Sequence, residues 1–80
     1  PEPSITVLVA DPHCCVREGL KALLGAEPGM RVVGEAGDGP TALSRAAKVD
    51  PDVVVLEVDL PGLDGAQVTA RLRASCPGRK

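Results

Sequence analysis

The sequence predicts an α/β fold, a small parallel sheet carrying helices on its faces in the order βαβαβα. Three observations support this. Short apolar runs rich in β-branched residues recur at Ile5–Ala10, Met30–Val33 and Val53–Leu56. Stretches with helical spacing of apolar residues follow each run. Turn formers separate the two kinds of segment, at Asp11-Pro12, Glu27-Pro28-Gly29, Asp50-Pro51 and Pro61-Gly62. Such alternation implies βαβ units, right-handed crossovers and a parallel sheet.

Ile5–Ala10 is short and nearly continuous in apolar character, which favours a strand buried on both faces over a helix. From Cys14 to Leu24 the period changes. Val16, Leu20, Leu23 and Leu24 fall at i, i+4, i+7 and i+8, one stripe of an amphipathic helix, with Arg17, Glu18 and Lys21 on its other side. The second strand opens at Met30 and runs into a cluster of breakers from Gly34 to Pro40. Pro40 suits the first turn of a helix, where its missing N–H costs nothing. Ala42, Leu43, Ala46 and Ala47 then form a narrow stripe of small residues fit for close packing on a sheet. After the third strand and the Pro61-Gly62 turn, Asp64 can cap a last helix in which Val68 and Leu72 lie at i, i+4. Ser75-Cys76-Pro77-Gly78 stops it. One domain over residues 1–80 is expected, with strands at about 5–10, 30–35 and 52–57 and helices at about 14–25, 40–49 and 64–75.

Composition narrows the function. With 44% hydrophobic and 25% charged residues, the 80-residue chain lies in the globular range. Phe, Tyr and Trp are all absent, so the core must be built from Val, Leu, Ile, Ala and Met. The net charge of −2 offers no footprint for nucleic acid or an anionic membrane. No segment approaches the length of a membrane span, and the N-terminus lacks a signal-peptide pattern. A cytoplasmic, soluble protein is expected. Cys14, Cys15 and Cys76 form no disulfide framework and lack zinc-knuckle spacing, so they read as reduced thiols.

Candidate chemistry gathers at strand ends, where ligands collect in open parallel sheets. Asp11 follows the first strand and Glu57 the third. If the first strand lies between the other two, both carboxylates enter one crevice, where a pair of acids attracts a cation, shares a proton or is solvated. The blander readings are a helix N-cap for Asp11, with Pro12 at the first helical position, and a solvated strand end for Glu57. His13 reads as a loop-end histidine, because His13-Cys14-Cys15 in consecutive positions cannot readily converge on one ion. No Ser or Cys sits in an identifiable base–acid relay, so an enzyme is not expected.

Gly37-Asp38-Gly39-Pro40-Thr41-Ala42 matches G-x-G-x-x-[GA] between a strand and a helix, the spacing of a dinucleotide-binding turn. The chemistry opposes that reading. Asp38 would place a negative charge beside a pyrophosphate, and Pro40 removes an N–H that the phosphate needs. A small nucleotide- or metal-binding protein remains the minor alternative.

Four segments together resemble the receiver domain of two-component response regulators, the CheY-like family, and most closely its NarL/FixJ (LuxR-type) branch. They are ITVLVADPH at 5–13, VREGLKALL at 16–24, RVVGEAGDG at 31–39 and PDVVVLEVDLPGLDG at 51–65. The resemblance implies a flavodoxin-like sheet of order 2-1-3-4-5, of which this chain holds the first three strands. It also implies phosphoryl transfer from a histidine kinase onto an aspartate after the third strand. A Mg²⁺ ion would be held by an acidic pair after the first strand, by that aspartate and by a carbonyl two residues on. Carried over, the first acid is Asp11, the second position holds Pro12, the acceptor position holds Glu57, and the carbonyl belongs to Asp59. The Thr/Ser and Lys of strands four and five would lie beyond residue 80.

Both departures touch the chemistry. Pro12 removes a charge and a ligand from a metal that demands near-ideal octahedral oxygen geometry. Glu57 is one methylene longer than Asp, which misplaces the attacking oxygen by about 1 Å, enough to cost about 100-fold in rate. The expected function is an atypical receiver module of a transcriptional response regulator, acting through protein–protein contacts. Its DNA-binding domain would lie downstream. The alternative is a stand-alone interaction or dimerisation domain without phosphorelay. Without a fourth strand, the third strand would expose an edge that recruits a partner or a second copy.

Overall fold

In a computed structural model of the chain, residues 4–75 are described. Three strands, β1 (Ile5–Ala10), β2 (Met30–Ala36) and β3 (Val53–Leu56), alternate with three helices, α1 (Cys14–Gly25), α2 (Gly39–Val49) and α3 (Gly65–Ser75). The strands form one parallel sheet of order β2-β1-β3. β1 is therefore the central strand, and its last four residues, Val7 to Ala10, are at most 2% exposed.

Side chains of a strand alternate between faces. Leu8 and Ala10 point into a core completed by Ala36, Ala42, Ala46, Leu60, Val68 and Leu72. Leu43, Val54, Leu56 and Leu63 pack around it. This is the α2/α3 face, and the i, i+4 pair Val68/Leu72 belongs to it as the sequence implied. Of the small-residue stripe on α2, Ala42 and Ala46 are fully buried, while Ala47 is exposed. Val7 and Val9 face the α1 side of the sheet.

α1 departs from the expected orientation. None of its residues is buried, and Val16 and Leu23 are 44% and 70% exposed. The inward face instead carries Arg17, Leu20, Lys21 and Leu24, at i, i+3, i+4 and i+7. Arg17 Nε and Lys21 Nζ donate to the Glu35 carboxylate on β2, at 3.0 and 2.6 Å. Long cationic side chains cover apolar surface with their stems while their heads stay hydrated or paired. Here they set the rotation of the helix more firmly than the leucines do.

β2 runs through Gly34 to Ala36, one residue past the expected range of about 30–35. The register with β1 steps from Val7↔Val32 to Leu8↔Gly34, a β-bulge that leaves Val33 unmatched. A Cβ on Gly34 would lie 2.9 Å from Leu8 Cδ1, so glycine lets the strand pass over the central leucine.

Helix starts are set by side-chain caps. Asp38 accepts the Thr41 N–H at 2.7 Å and the Thr41 hydroxyl at 2.9 Å, with Pro40 in the first turn of α2. Asp64 and Gln67 cap each other reciprocally ahead of α3, the side chain of each accepting the backbone N–H of the other (2.9 and 3.1 Å). β3 is tied to the start of β1 by Asp52, whose carboxylate accepts the Thr6 N–H and hydroxyl at 2.9 and 3.1 Å. The paired strand begins at Val53 and ends at Leu56, which leaves Asp52 and Glu57 as flanks rather than members. The expected stop at 75–78 lies largely outside the described residues.

The segment between β3 and α3 is seated on α2. The Gly39 N–H donates to Pro61 O at 2.9 Å, and a Cβ on Gly39 would fall 2.4 Å from Leu63 O. We expect Gly39→Ala to destabilise the chain by about 1–3 kcal/mol through overpacking, and thermal unfolding followed by circular dichroism measures the loss.

The hydrogen bonds from Thr41 and Thr6 hold the Asp38 and Asp52 carboxyls below their ordinary range. A depressed carboxyl stabilises the fold above its unfolded pKa and loses that contribution as pH falls through the folded value. Stability is expected to hold from neutral pH to about pH 5 and to fall below about pH 4. Asp38→Asn and Asp52→Asn should each flatten that acid limb in denaturant titrations.

Candidate functional site

The site lies at the carboxyl end of the sheet, and β1 creates it. Ala10 is in register with Ala36 of β2 and Leu56 of β3, so one residue further on all three chains leave the sheet side by side. The Asp11 N–H donates to Ala36 O at 3.0 Å, and the Glu57 N–H donates to Ala10 O at 2.9 Å. These two bonds place Asp11 and Glu57 as neighbours at one sheet end, as expected from a central first strand.

Asp11 is only 6% exposed. Its Oδ1 accepts the His13 backbone N–H at 2.8 Å and the His13 ring Nδ1–H at 3.0 Å. The backbone N–H is the main cause of its lowered pKa, opposed by desolvation and helped by the imidazole and by Arg17. A fixed anion at neutral pH results. The N-cap reading of Asp11 does not hold, because α1 begins at Cys14, His13 occupies the cap position and Pro12 lies before the helix. Asp11 closes a turn over Pro12 instead.

Arg17 braces the same loop from the helix side. Its Nη1 donates to Asp11 O at 2.7 Å while its Nε holds Glu35. Sequence reasoning missed this clasp and the His13–Asp11 pairing. The available signal was Glu35, an acid at the half-buried end of β2 that needs a cation from the covering helix. Lys21, shared with Glu18 and Glu35, holds the Glu35 carboxyl below its ordinary range more strongly than Arg17 does.

Glu57 is half-buried, and its Oε1 lies 3.5 Å from the Asp59 N–H, at the limit of a hydrogen bond. Asp59 is exposed. The segment from Glu57 to Asp64 is held by Leu60, which is buried in the core, by the Gly39–Pro61 bond, and by the Gly65 N–H donating to Val58 O at 2.7 Å.

These donors do not fit Mg²⁺. Pro12 contributes no oxygen from its side chain, Asp11 Oδ1 already accepts two N–H groups, and Glu57 turns towards its own loop. Among the described residues, no group of three His, Cys, Asp or Glu side chains is placed to hold a metal ion. Cys14 and Cys15 are free and exposed. The G-x-G-x-x-A segment does not form a phosphate cradle either. Its Asp38 caps α2, and the Gly39 N–H is spent on Pro61.

Comparison with known proteins matches this geometry. Residues 7–79 match the family model of the response regulator receiver domain. Response regulator GacA of Pseudomonas viridiflava is 41% identical over 76 residues, which is 95% of this chain and 36% of that protein. The nitrate/nitrite response regulator protein NarL of Escherichia coli is 38% identical over 68 residues, 85% of this chain and 32% of that protein. This chain thus spans about a third of the length of these curated relatives. Among solved structures, the signal receiver domain of NarL from Mycobacterium tuberculosis superimposes with a TM-score of 0.89 at 40% identity, covering 92% of this chain and 60% of that one. The family model covers nearly the whole chain, and the three strands have the order that the resemblance implied. The chain belongs to the response regulator receiver domain family.

Proposed function

We propose that the chain is a receiver module of a two-component transcriptional response regulator that signals by protein–protein contact, with Glu57 as a fixed charge rather than a phosphoacceptor. The observation that supports this is the composition of the acidic pocket. Asp11 is committed to His13, Pro12 stands at the second acid's position, and Glu57 occupies the acceptor's place. The residues can hold negative charge at the sheet end, where a phosphorylated aspartate would put it. They lack the oxygen set that would bring a metal and a phosphoryl group there. Asp59 offers its carbonyl to the same loop end and completes no metal site alone. A histidine kinase or another signalling protein is the partner class, acting in the cytoplasm, and a DNA-binding domain would be supplied by the rest of a longer protein.

A second reading rests on the free side of β3. Val53–Leu56 pairs only with β1 among the described strands. Beside it runs a groove of about 530 Å³ between Val54, Leu56 and Val58 on the strand side and Gly65, Thr69 and Arg73 on α3. Unpaired strand edges of this kind recruit a further strand. That reading makes the module an interaction or dimerisation domain through β3.

Incubation with acetyl phosphate and Mg²⁺ followed by intact-mass measurement tests the first reading. No 80 Da adduct is expected. An adduct that disappears in Glu57→Gln would overturn the fixed-charge assignment.

If Glu57 acts through its charge, Glu57→Gln should weaken capture of the kinase or signalling partner by about tenfold while leaving the unfolding midpoint within about 0.5 kcal/mol of the parent. Surface plasmon resonance beside denaturant titration separates the two effects.

A further inference from the structure

β2 is the other outer strand of the sheet, and nothing among the described residues pairs with its outer side. At the bulge a groove of about 400 Å³ opens there. Its floor is Val32, Val33 and Gly34, and its walls carry Lys21 from α1 and Arg45 from α2. Glu35 also lines it, but both its oxygens are taken by Arg17 and Lys21. Arg45 is exposed and makes no ion pair among the described residues. Arg31 on the same strand and Lys48 one turn along α2 are exposed as well. Lys21 is held by Glu18 and Glu35, so Arg45 supplies the unpaired positive charge over an apolar floor, on a chain whose net charge is −2.

The opposite character sits on the loop after β3. Glu57-Val58-Asp59 places two acids around a valine that is 65% exposed. A protruding apolar side chain beside acids matches an apolar floor beside the unpaired Arg45, in both shape and sign. We propose that the Glu57–Asp59 loop of one copy docks into the β2 groove of a second copy, with Val58 on Val32, Val33 and Gly34, and with Asp59 facing Arg45. The two patches differ, so the contact is head-to-tail and can propagate into open chains. The β2 groove lies across the sheet from the β3 edge, and the inference does not depend on whether Glu57 accepts a phosphoryl group. Docking covers the acidic pocket, so assembly competes with any partner that reads Glu57.

Sedimentation velocity on the 80-residue chain tests this with two exposed-residue variants, Arg45→Glu in the groove and Asp59→Arg in the loop, each checked for native circular dichroism. The parent should grow beyond dimer as concentration rises into the high micromolar range. Its association should weaken at about 1 M salt, where screening acts within about 3 Å. Each variant alone should associate at least about tenfold more weakly. An equimolar mixture should regain association, because one variant keeps the loop, the other keeps the groove, and the two reversed charges are again opposite in sign. A monomeric parent overturns the proposal, as does a mixture that stays monomeric. Parent-like association of either variant also overturns it and assigns the contact to the β3 edge.

Discussion

Everything at the candidate site depends on the parallel pairing of β1 with strands on both sides. One register, Ala10 opposite both Ala36 and Leu56, ends the sheet at a common level. Parallel strands keep all their carboxyl ends on one side, so the acids that follow β1 and β3 must meet. Burial makes the register firm. A slip of one residue would turn Leu8 and Ala10 out of the α2/α3 core and force Val7 and Val9 into it. With no aromatic residue to fill space, that core relies on small, close contacts, among them Gly34 over Leu8 and Ala42 and Ala46 against the sheet.

The fold was legible because its signals were local and consistent. Apolar β-branched runs, Pro40 in a first helical turn, and the cap Asp64 each point to the element that forms. What was not legible depended on which side of an element faces which neighbour. On α1 the leucines and the charged residues occupy overlapping arcs, so periodicity alone admits two rotations. Glu35 decides between them by drawing Arg17 and Lys21 inward, a long-range pairing that no window of the sequence contains. The bulge of β2 at Gly34 was hidden for a similar reason. A glycine reads as a breaker until the side chain it must clear, Leu8, is known.

At the site, sequence position identified Asp11 and Glu57 and their proximity. It did not show how Asp11 is occupied. The turn over Pro12 brings the His13 N–H and ring onto one carboxylate oxygen, and Arg17 fixes the carbonyl of the same residue. Pro12 thus permits a turn that engages the Asp11 carboxylate within the protein. The loop carrying Glu57 and Asp59 is held at both ends, by the contact of Gly39 with Leu63 and by Gly65 against Val58. On the proposed reading, this anchored loop presents the Glu57 charge to a partner.

The most direct test of that account is a MgCl₂ titration of the ¹³C-labelled chain, following the side-chain carboxylate resonances of Asp11 and Glu57 by NMR. With a metal site lacking its second acid, both resonances should move no more than that of the exposed Glu27 up to about 10 mM Mg²⁺. A saturable shift of Asp11 and Glu57 together, absent from Glu27, would show a working metal pocket and contradict the reading of Glu57 as a fixed charge.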